Sequence, residues 1–450
     1  MTGQQSNDDV AIVGGGFAGG AVTIACARHA PELQVRLFSR EEPGQGAAYG
    51  AGSPLWLMNG PARAMSVLAD DPAHLVRTLG CHSDDLIERT AFGRYVAMTI
   101  ERSIARSRRI KIQRNTIVDI VRVPEGFALF DARGERFVAR SVVLALGNAT
   151  PADTALPPSV RRFAGYVGDP WRSRAPRNFT KDILCIGSGL TAFDQVADFV
   201  EAGFTGKAFL LGRHGFLPAR ENPTLRGSDP HTLGLRYESP LALLRSFRAA
   251  VSRHVANGGD WREIAESIRK PSQRIWLGWT PVQRESFIEH LASLWSVLRY
   301  RVPPTTQDAV LSLQRSDRFH PLHGRIMDGR EENGEIVVSY SVDGDIREVR
   351  AARVINCTGP NPDITSIDEP LSRALLRRGL VRPDALSLGF DATPLGELID
   401  GDSLVDERFL TLGPPLRGIL YETTAVPEIA AQAHSIALRL AALQREACVA

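Results

Sequence analysis

The chain has 450 residues, 43% of them apolar and 23% charged, a composition that excludes the disordered and fibrous classes and is too long for one ordinary core. Lys plus Arg exceed Asp plus Glu by only two, so net charge gives no reason to expect nucleic acid or an anionic membrane as a partner. No apolar run reaches the ~18 residues of a membrane span and residues 1–9 are polar, so neither anchor nor signal peptide is expected, and a cytoplasmic location is.

Val10 to Val13 form a short apolar strand that runs into Gly14-Gly15-Gly16 and then into a helix start of small residues. Gly14, Gly16 and Gly19 have the spacing G-x-G-x-x-G, which carries backbone N–H groups up to a pyrophosphate. Gly14 permits the tight turn, Gly16 the approach of the phosphate, and Gly19 the packing of the helix on its strand. Phe17 and Ala18 open that helix and belong to the same site. Residues 20–30 continue as a buried helix that Pro31 closes, and Val35 to Phe38 is the second strand. In a dinucleotide fold an Asp or Glu usually ends this strand and holds the adenosine ribose; here the position falls on Ser39 or Arg40. Two stretches of small residues follow, Pro43 to Gly50 and Leu57 to Ser66, readable either as a loop lying flat over a ligand or as a packed surface loop.

Three segments, G-Q-G-A-A-Y-G at 44–50, L-M-N-G-P-A-R-A-M-S at 57–66 and D-D-P-A-H-L at 70–75, resemble the first domain of the bacterial FAD/NAD(P)-binding protein family. That family is distantly related to the flavoprotein monooxygenases and reductases with two dinucleotide-binding domains. The resemblance implies FAD on the first glycine loop, with Gly46, Ala48, Tyr49, Asn59, Met65 and Ser66 among its contacts.

Residues 92–107 have helical periodicity, and Arg102, Arg106, Arg108, Arg109 and Lys111 read as a solvated face. Alternation over 117–130 predicts a small antiparallel sheet. Ser141 to Asn148 is a buried strand ending in glycine, and the resemblance sets Gly147 beside the FAD. Asp169-Pro170-Trp171 opens the next unit, where Ile183 to Asp194 repeats the strand, glycine turn and helix start. Gly187, Gly189, Leu190 and Thr191 form this second phosphate-binding turn, with a small residue in place of the last glycine. The strand after it ends at Arg213, whose guanidinium suits a 2′-phosphate and so favours NADPH over NADH.

Helical periodicity over about 235–305, broken at Asn257-Gly258-Gly259 and Lys270-Pro271, predicts a helical insertion in which Trp276, Trp279 and Trp295 are core. His320 and His323 flank Pro321 without an acidic or cysteine partner, so no metal is expected. The five cysteines (Cys26, Cys81, Cys185, Cys357, Cys448) form no C-x-x-C pair, which disfavours a redox-active dithiol and suits a reducing compartment. Glu335 to Tyr340 and Arg347 to Arg353 alternate as a hairpin. Val354 to Pro360 resembles the family's return strand into the FAD domain, with Gly359 at its end. The resemblance also implies that Gly413, Thr423 and Thr424 line the flavin ring at a helix start, and residues 427–444 form a closing helix.

The expected fold is α/β, with two Rossmann-like dinucleotide-binding domains. FAD is expected on 1–150 and 351–450, and NAD(P)H on 151–350 with its helical insertion. The resemblance implies an FAD-dependent oxidoreductase that takes hydride from NADPH. The favoured form is monooxygenase-like, using molecular oxygen to oxygenate a small molecule at N or S. A reductase passing electrons to another acceptor and a non-catalytic flavin-binding sensor or complex subunit are the alternatives. The F-x-G-x-x-x-H-x-x-x-W/P stretch of Baeyer–Villiger enzymes is absent, and no catalytic acid or base is assigned.

Overall fold

In the computed structural model, residues 8–50, 52–153 and 156–449 are described, with side chains to residue 446. They form two units. Of the described residues, one contains 8–50, 61–149 and 362–449, the other 52–60, 150–153 and 156–361.

In the first unit the strand Asp8–Val13, apolar from Val10, is buried along nearly its whole length, as a strand flanked on both edges and covered on both faces must be. It pairs in parallel with Val35–Phe38 on one side and Arg136–Leu144 on the other. Ile110–Gln113 extends the sheet beyond Val35–Phe38, and Val405–Thr411 extends it beyond Arg136–Leu144. Glu397–Ile399 closes that edge antiparallel. The alternation over 117–130 becomes the antiparallel strands Ile117–Val123 and Gly126–Asp131, joined to Arg136–Leu144. Helix Phe17–His29, apolar all round, lies between the closing helix Val426–Val449 and helix Arg89–Arg106. The core, built on Phe38, Leu129, Val142, Leu375, Phe390 and Phe409, joins strands to residues 364–420, so the C-terminal segment completes the unit that the N-terminal strand begins.

The second unit is built on a five-stranded parallel sheet in the order Phe319–His323, Ala208–Gly212, Ile183–Ile186, Arg353–Asn356, Tyr166–Val167. His320 and His323 therefore stand on an edge strand, where Pro321 is tolerated. The hairpin Glu335–Val342 and Asp345–Ala351 gains a third strand, Arg325–Glu332. Helices Pro240–Ala256, Trp261–Arg269, Ser272–Gly278, Pro281–His290 and Ala292–Arg299 make the insertion. Ser239, Asp260 and Thr280 cap three of them, the last in a capping box with Gln283, which satisfies N–H groups that a helix start leaves open. Trp276 and Trp279 are buried with Phe287, ring centres 5.4–6.2 Å apart. Trp295 is half-buried.

Two expected boundaries differ. Arg353–Asn356 pairs on both sides within the second sheet, so that unit runs to Asn361 and holds Gly359 instead of returning to the first unit at 351. Residues 52–60 also belong to the second unit. Trp56, fully buried, donates its indole N–H to the Asp194 carbonyl at 2.8 Å and packs edge-to-face on Trp171, and the Leu55 carbonyl accepts from Thr306 Oγ1 at 2.8 Å. Those long-range contacts outweigh the sequence position of the segment.

Candidate dinucleotide sites

The two glycine turns have one geometry. In the first unit Gly14 N–H donates to the Phe38 carbonyl at 3.0 Å and Ala145 N–H to the Val13 carbonyl at 2.8 Å. In the second, Gly187 N–H donates to Leu211 and Cys357 N–H to Ile186, both at 2.8 Å. Gly14 has φ +111° and Gly187 φ +109°. A Cβ on Gly14 would run into the Ala145 carbonyl, 2.9 Å from its carbon, and one on Gly187 into the Cys357 carbonyl, 2.7 Å from its carbon. Only glycine combines that backbone with that approach. A Cβ on Gly19 would strike the Gly14 carbonyl, 3.0 Å from its carbon, so the helix rests on its turn as the third glycine of the motif requires.

Gly16 and Gly189 are different. Each is the N-cap of its helix, with no side-chain cap. The space over Gly189 is open for 4 Å, and the nearest atom to a Cβ on Gly16 is the Gly46 Cα at 3.8 Å. Helix-start N–H groups without a side-chain cap and a Cβ-sized gap are what an approaching phosphate needs, so the residues present fit a dinucleotide at both turns. Gly46 approaches the first turn closely, since a Cβ on it would meet the Gly16 Cα at 3.1 Å. Residues Gly46–Tyr49 form a helical turn rather than a flat loop, and Tyr49 packs edge-to-face with Phe17 and Phe92. Burial raises the pKa of the Tyr49 phenol, so its hydroxyl stays protonated.

At the ends of the second strands the register aligns Ser39 with Gly14 and Gly212 with Gly187. Glycine and serine exchange places between the units. Gly15 faces Ser39, whose Cα would lie 3.0 Å from a Gly15 Cβ; Ser188 faces Gly212, its Cβ 3.0 Å from a Gly212 Cβ. Each serine hydroxyl is committed to the chain, Ser39 Oγ to the Glu41 carbonyl at 2.7 Å and Ser188 Oγ to the Phe216 carbonyl at 2.8 Å. Ser39 is buried, so it wedges the turn and is poorly placed to replace a ribose carboxylate. An exposed arginine follows in both units. Arg40 lies 3.8 Å from Glu41, whereas Arg213 makes no ion pair with any described residue. It is free for an anion.

Met65 and Ser66 are buried in the first unit, with Ser66 Oγ hydrogen-bonded to the Asp71 carbonyl at 2.7 Å. Asn59, expected alongside them, belongs to the second unit. Gly147 has φ +69° with nothing within 4 Å of its Cβ position, and Gly359, at φ +92°, is equally open. Leu190 and Thr191 begin the second helix, both half-buried. Gly413, at φ +73°, is held by a residue that the sequence reading missed. Gln432 Oε1 accepts the Gly413 N–H at 2.8 Å and Gln432 Nε2 donates to Thr423 Oγ1 at 2.6 Å, while Thr423 Oγ1 donates to the Gly413 carbonyl at 3.2 Å. This closed ring clamps the Gly413 peptide to the first turns of helix Val426–Val449, beside half-buried Thr424. A lone glutamine in an amphipathic helix carries no motif.

Fold and turns together define an α/β architecture with two Rossmann-like dinucleotide-binding domains. Residues 11–149 match the profile of a family described as FAD-NAD(P)-binding. Among solved structures, ornithine N-hydroxylase of Kutzneria sp. 744, with reduced FAD, NADP+ and L-ornithine, is similar at 13% identity, covering 98% of this chain and all of that one with a TM-score of 0.65. The FAD-bound cadaverine monooxygenase of desferrioxamine biosynthesis from Erwinia amylovora is similar at 12% identity, covering 97% and 94%, TM-score 0.65. The bacillithiol disulfide reductase of Bacillus cereus is similar at 13% identity, covering 97% and 100%, TM-score 0.57. No curated protein sequence matches significantly. Among the described residues no helix is long and apolar enough to cross a membrane.

Proposed function

We propose that the protein is an FAD-dependent oxidoreductase that uses NADPH and molecular oxygen to oxygenate a small molecule at nitrogen or sulfur. The observation that carries the dinucleotide chemistry is the duplicated turn, with Gly14 against Ala145 and Gly187 against Cys357 at nearly equal φ and matching hydrogen bonds. FAD is assigned to residues 14–19, with Gly46, Ala48, Tyr49, Met65, Ser66, Gly147, Gly413, Thr423 and Thr424 around it. NADPH is assigned to Gly187, Gly189, Leu190, Thr191 and Arg213. Such a pair supplies hydride transfer to the flavin and, from reduced flavin, reaction with oxygen. The chain supplies uncapped N–H groups for the phosphates, an arginine for the 2′-phosphate, and the Gln432 clamp that fixes the Gly413 peptide. Oxygenation is favoured over disulfide reduction because no C-x-x-C pair exists to relay electrons to a disulfide, and because the similarity to the ornithine N-hydroxylase and cadaverine monooxygenase structures carries the larger TM-scores.

The test begins with the visible spectrum of the purified protein and anaerobic addition of NADPH. A yellow cofactor bleached by NADPH, followed in air by NADPH oxidation that releases hydrogen peroxide without substrate and, with substrate, N-hydroxylates a primary amine or converts a thioether to its sulfoxide, is the expected result. A flavin reduced by NADPH but inert to oxygen points to a reductase, and a flavin that NADPH leaves oxidised points to a sensor.

A further inference from the structure

Three segments of the first unit bring together side chains that the dinucleotide chemistry does not use. His29 stands in the last turn of helix Phe17–His29, Asp70 in the loop after Ser66, and His434 on helix Val426–Val449. One ligand atom from each lies within 4.8 Å of the other two. His29 Nε2 is 3.5 Å from Asp70 Oδ2, and the His29 and His434 rings meet edge-to-face at 4.4 Å between centres. Tetrahedral zinc with bonds of about 2.1 Å sets its donor atoms roughly 3.4 Å apart, so the His29–Asp70 separation already fits and the remaining closure needs only side-chain rotation. The backbones are fixed, because the two helices pack along each other and the Asp70 loop is tied by the Ser66 hydroxyl and by Asp71 N–H to the Leu68 carbonyl at 3.2 Å.

We propose that His29, Asp70 and His434 form a binding site for a borderline divalent metal ion such as Zn2+. Two imidazoles and one carboxylate suit zinc and its first-row neighbours, not Mg2+ or Ca2+, which take oxygen donors. Three protein ligands leave at least one coordination position to water. The ion staples the closing helix to the helix of the first glycine turn and to the loop carrying Met65 and Ser66. Arg28 is the competitor: its guanidinium holds Asp70 at 2.8 Å and, with its side chain 42% exposed, must swing fully into solvent before Asp70 can turn to a cation.

The experiment uses untagged, chelator-stripped holoenzyme titrated with Zn2+ by calorimetry, with Tm measured with and without one equivalent of metal. One zinc per chain and a raised Tm are expected. His29→Gln and His434→Gln should each weaken binding by at least about tenfold, the scale at which metal sites respond to loss of even a supporting group. Arg28→Ala should tighten it, a gain that a site built only as an Arg28–Asp70 ion pair does not give. FAD content and Tm in chelator verify that each variant is folded. Absence of stoichiometric binding, or binding unchanged in the His29→Gln/His434→Gln double variant, overturns the proposal.

Discussion

Replacing Gly189 by alanine separates ligand binding from folding. Gly189 has φ −84° and ψ −168°, extended backbone open to any residue, and its Cβ position meets nothing within 4 Å. The substitution therefore costs only the difference between glycine and alanine at an N-cap, under about 1 kcal/mol. A phosphate oxygen bound to the helix-start N–H groups must come to about 2.9 Å of nitrogen, and the new methyl occupies that approach. Losing one charge-assisted hydrogen bond at about 1.5–3 kcal/mol weakens NADPH binding roughly 10- to 150-fold. Rapid mixing of the oxidised holoenzyme with NADPH under argon gives the apparent dissociation constant from the concentration dependence of flavin bleaching, and differential scanning fluorimetry gives Tm. An unchanged Tm with an unchanged NADPH constant would refute the assignment of the second turn to the nicotinamide cofactor.

The same substitution at Gly19 should fail differently, because its Cβ strikes the Gly14 carbonyl; the helix must move, and soluble yield and FAD retention fall together, read by the flavin-to-protein absorbance ratio. Arg213→Ala should reduce the NADPH over NADH preference about tenfold, the lower end for loss of a charge-assisted contact at an exposed position, measured as the ratio of kcat/KM values. Trp56→Ala removes a fully buried ring and leaves the Asp194 carbonyl without its indole partner, so it should cost the second unit about 3–5 kcal/mol in denaturant unfolding. Burial lowers the His74 pKa, and its Nδ1 sits 2.8 Å from the Tyr95 hydroxyl. The stability carried by the neutral ring is complete above the unfolded value of 6.5 and is lost as pH falls through the lower folded value. Tm should accordingly drop between pH 7.5 and pH 5, and His74→Gln should make that drop smaller.

Both glycine turns were legible in the sequence because the information is local: a run of four apolar residues, a glycine forced to positive φ, and a helix start within six positions. The antiparallel strands over 117–131 and the capped helices of the insertion were legible for the same reason. Membership of a unit was not. Val354–Pro360 has a glycine one residue from its end, as Ser141–Asn148 has, and nothing within either run says which sheet will pair with it; the decision lies in Ile183 and Tyr166, far away in sequence. Trp56 and Asn59 sit between two segments of the first unit, yet the indole hydrogen bond to Asp194 sends them to the second. The missing ribose carboxylate could be read at Ser39, but its cause, the interlock with Gly15 that Ser188 and Gly212 repeat in reverse, depends on register.

The threading of the chain sets an order of manufacture. The strand Asp8–Val13 is synthesised before residues 150–361, while Val405–Thr411, which extends its sheet, and helix Val426–Val449, which packs on its helix, are synthesised after them. Between the two, a ribosome working at ordinary speed spends roughly ten seconds to a minute making the whole second unit. Throughout that interval the edge of Arg136–Leu144 that will receive Val405–Thr411 has no partner, and an unpaired strand edge invites other chains. The second unit needs only residues already made, 52–60 among them, and can close first. Yield in a cell should then respond to whatever shields that waiting edge, such as holding chaperones or slower synthesis at lower temperature, more than to the stability of the finished protein.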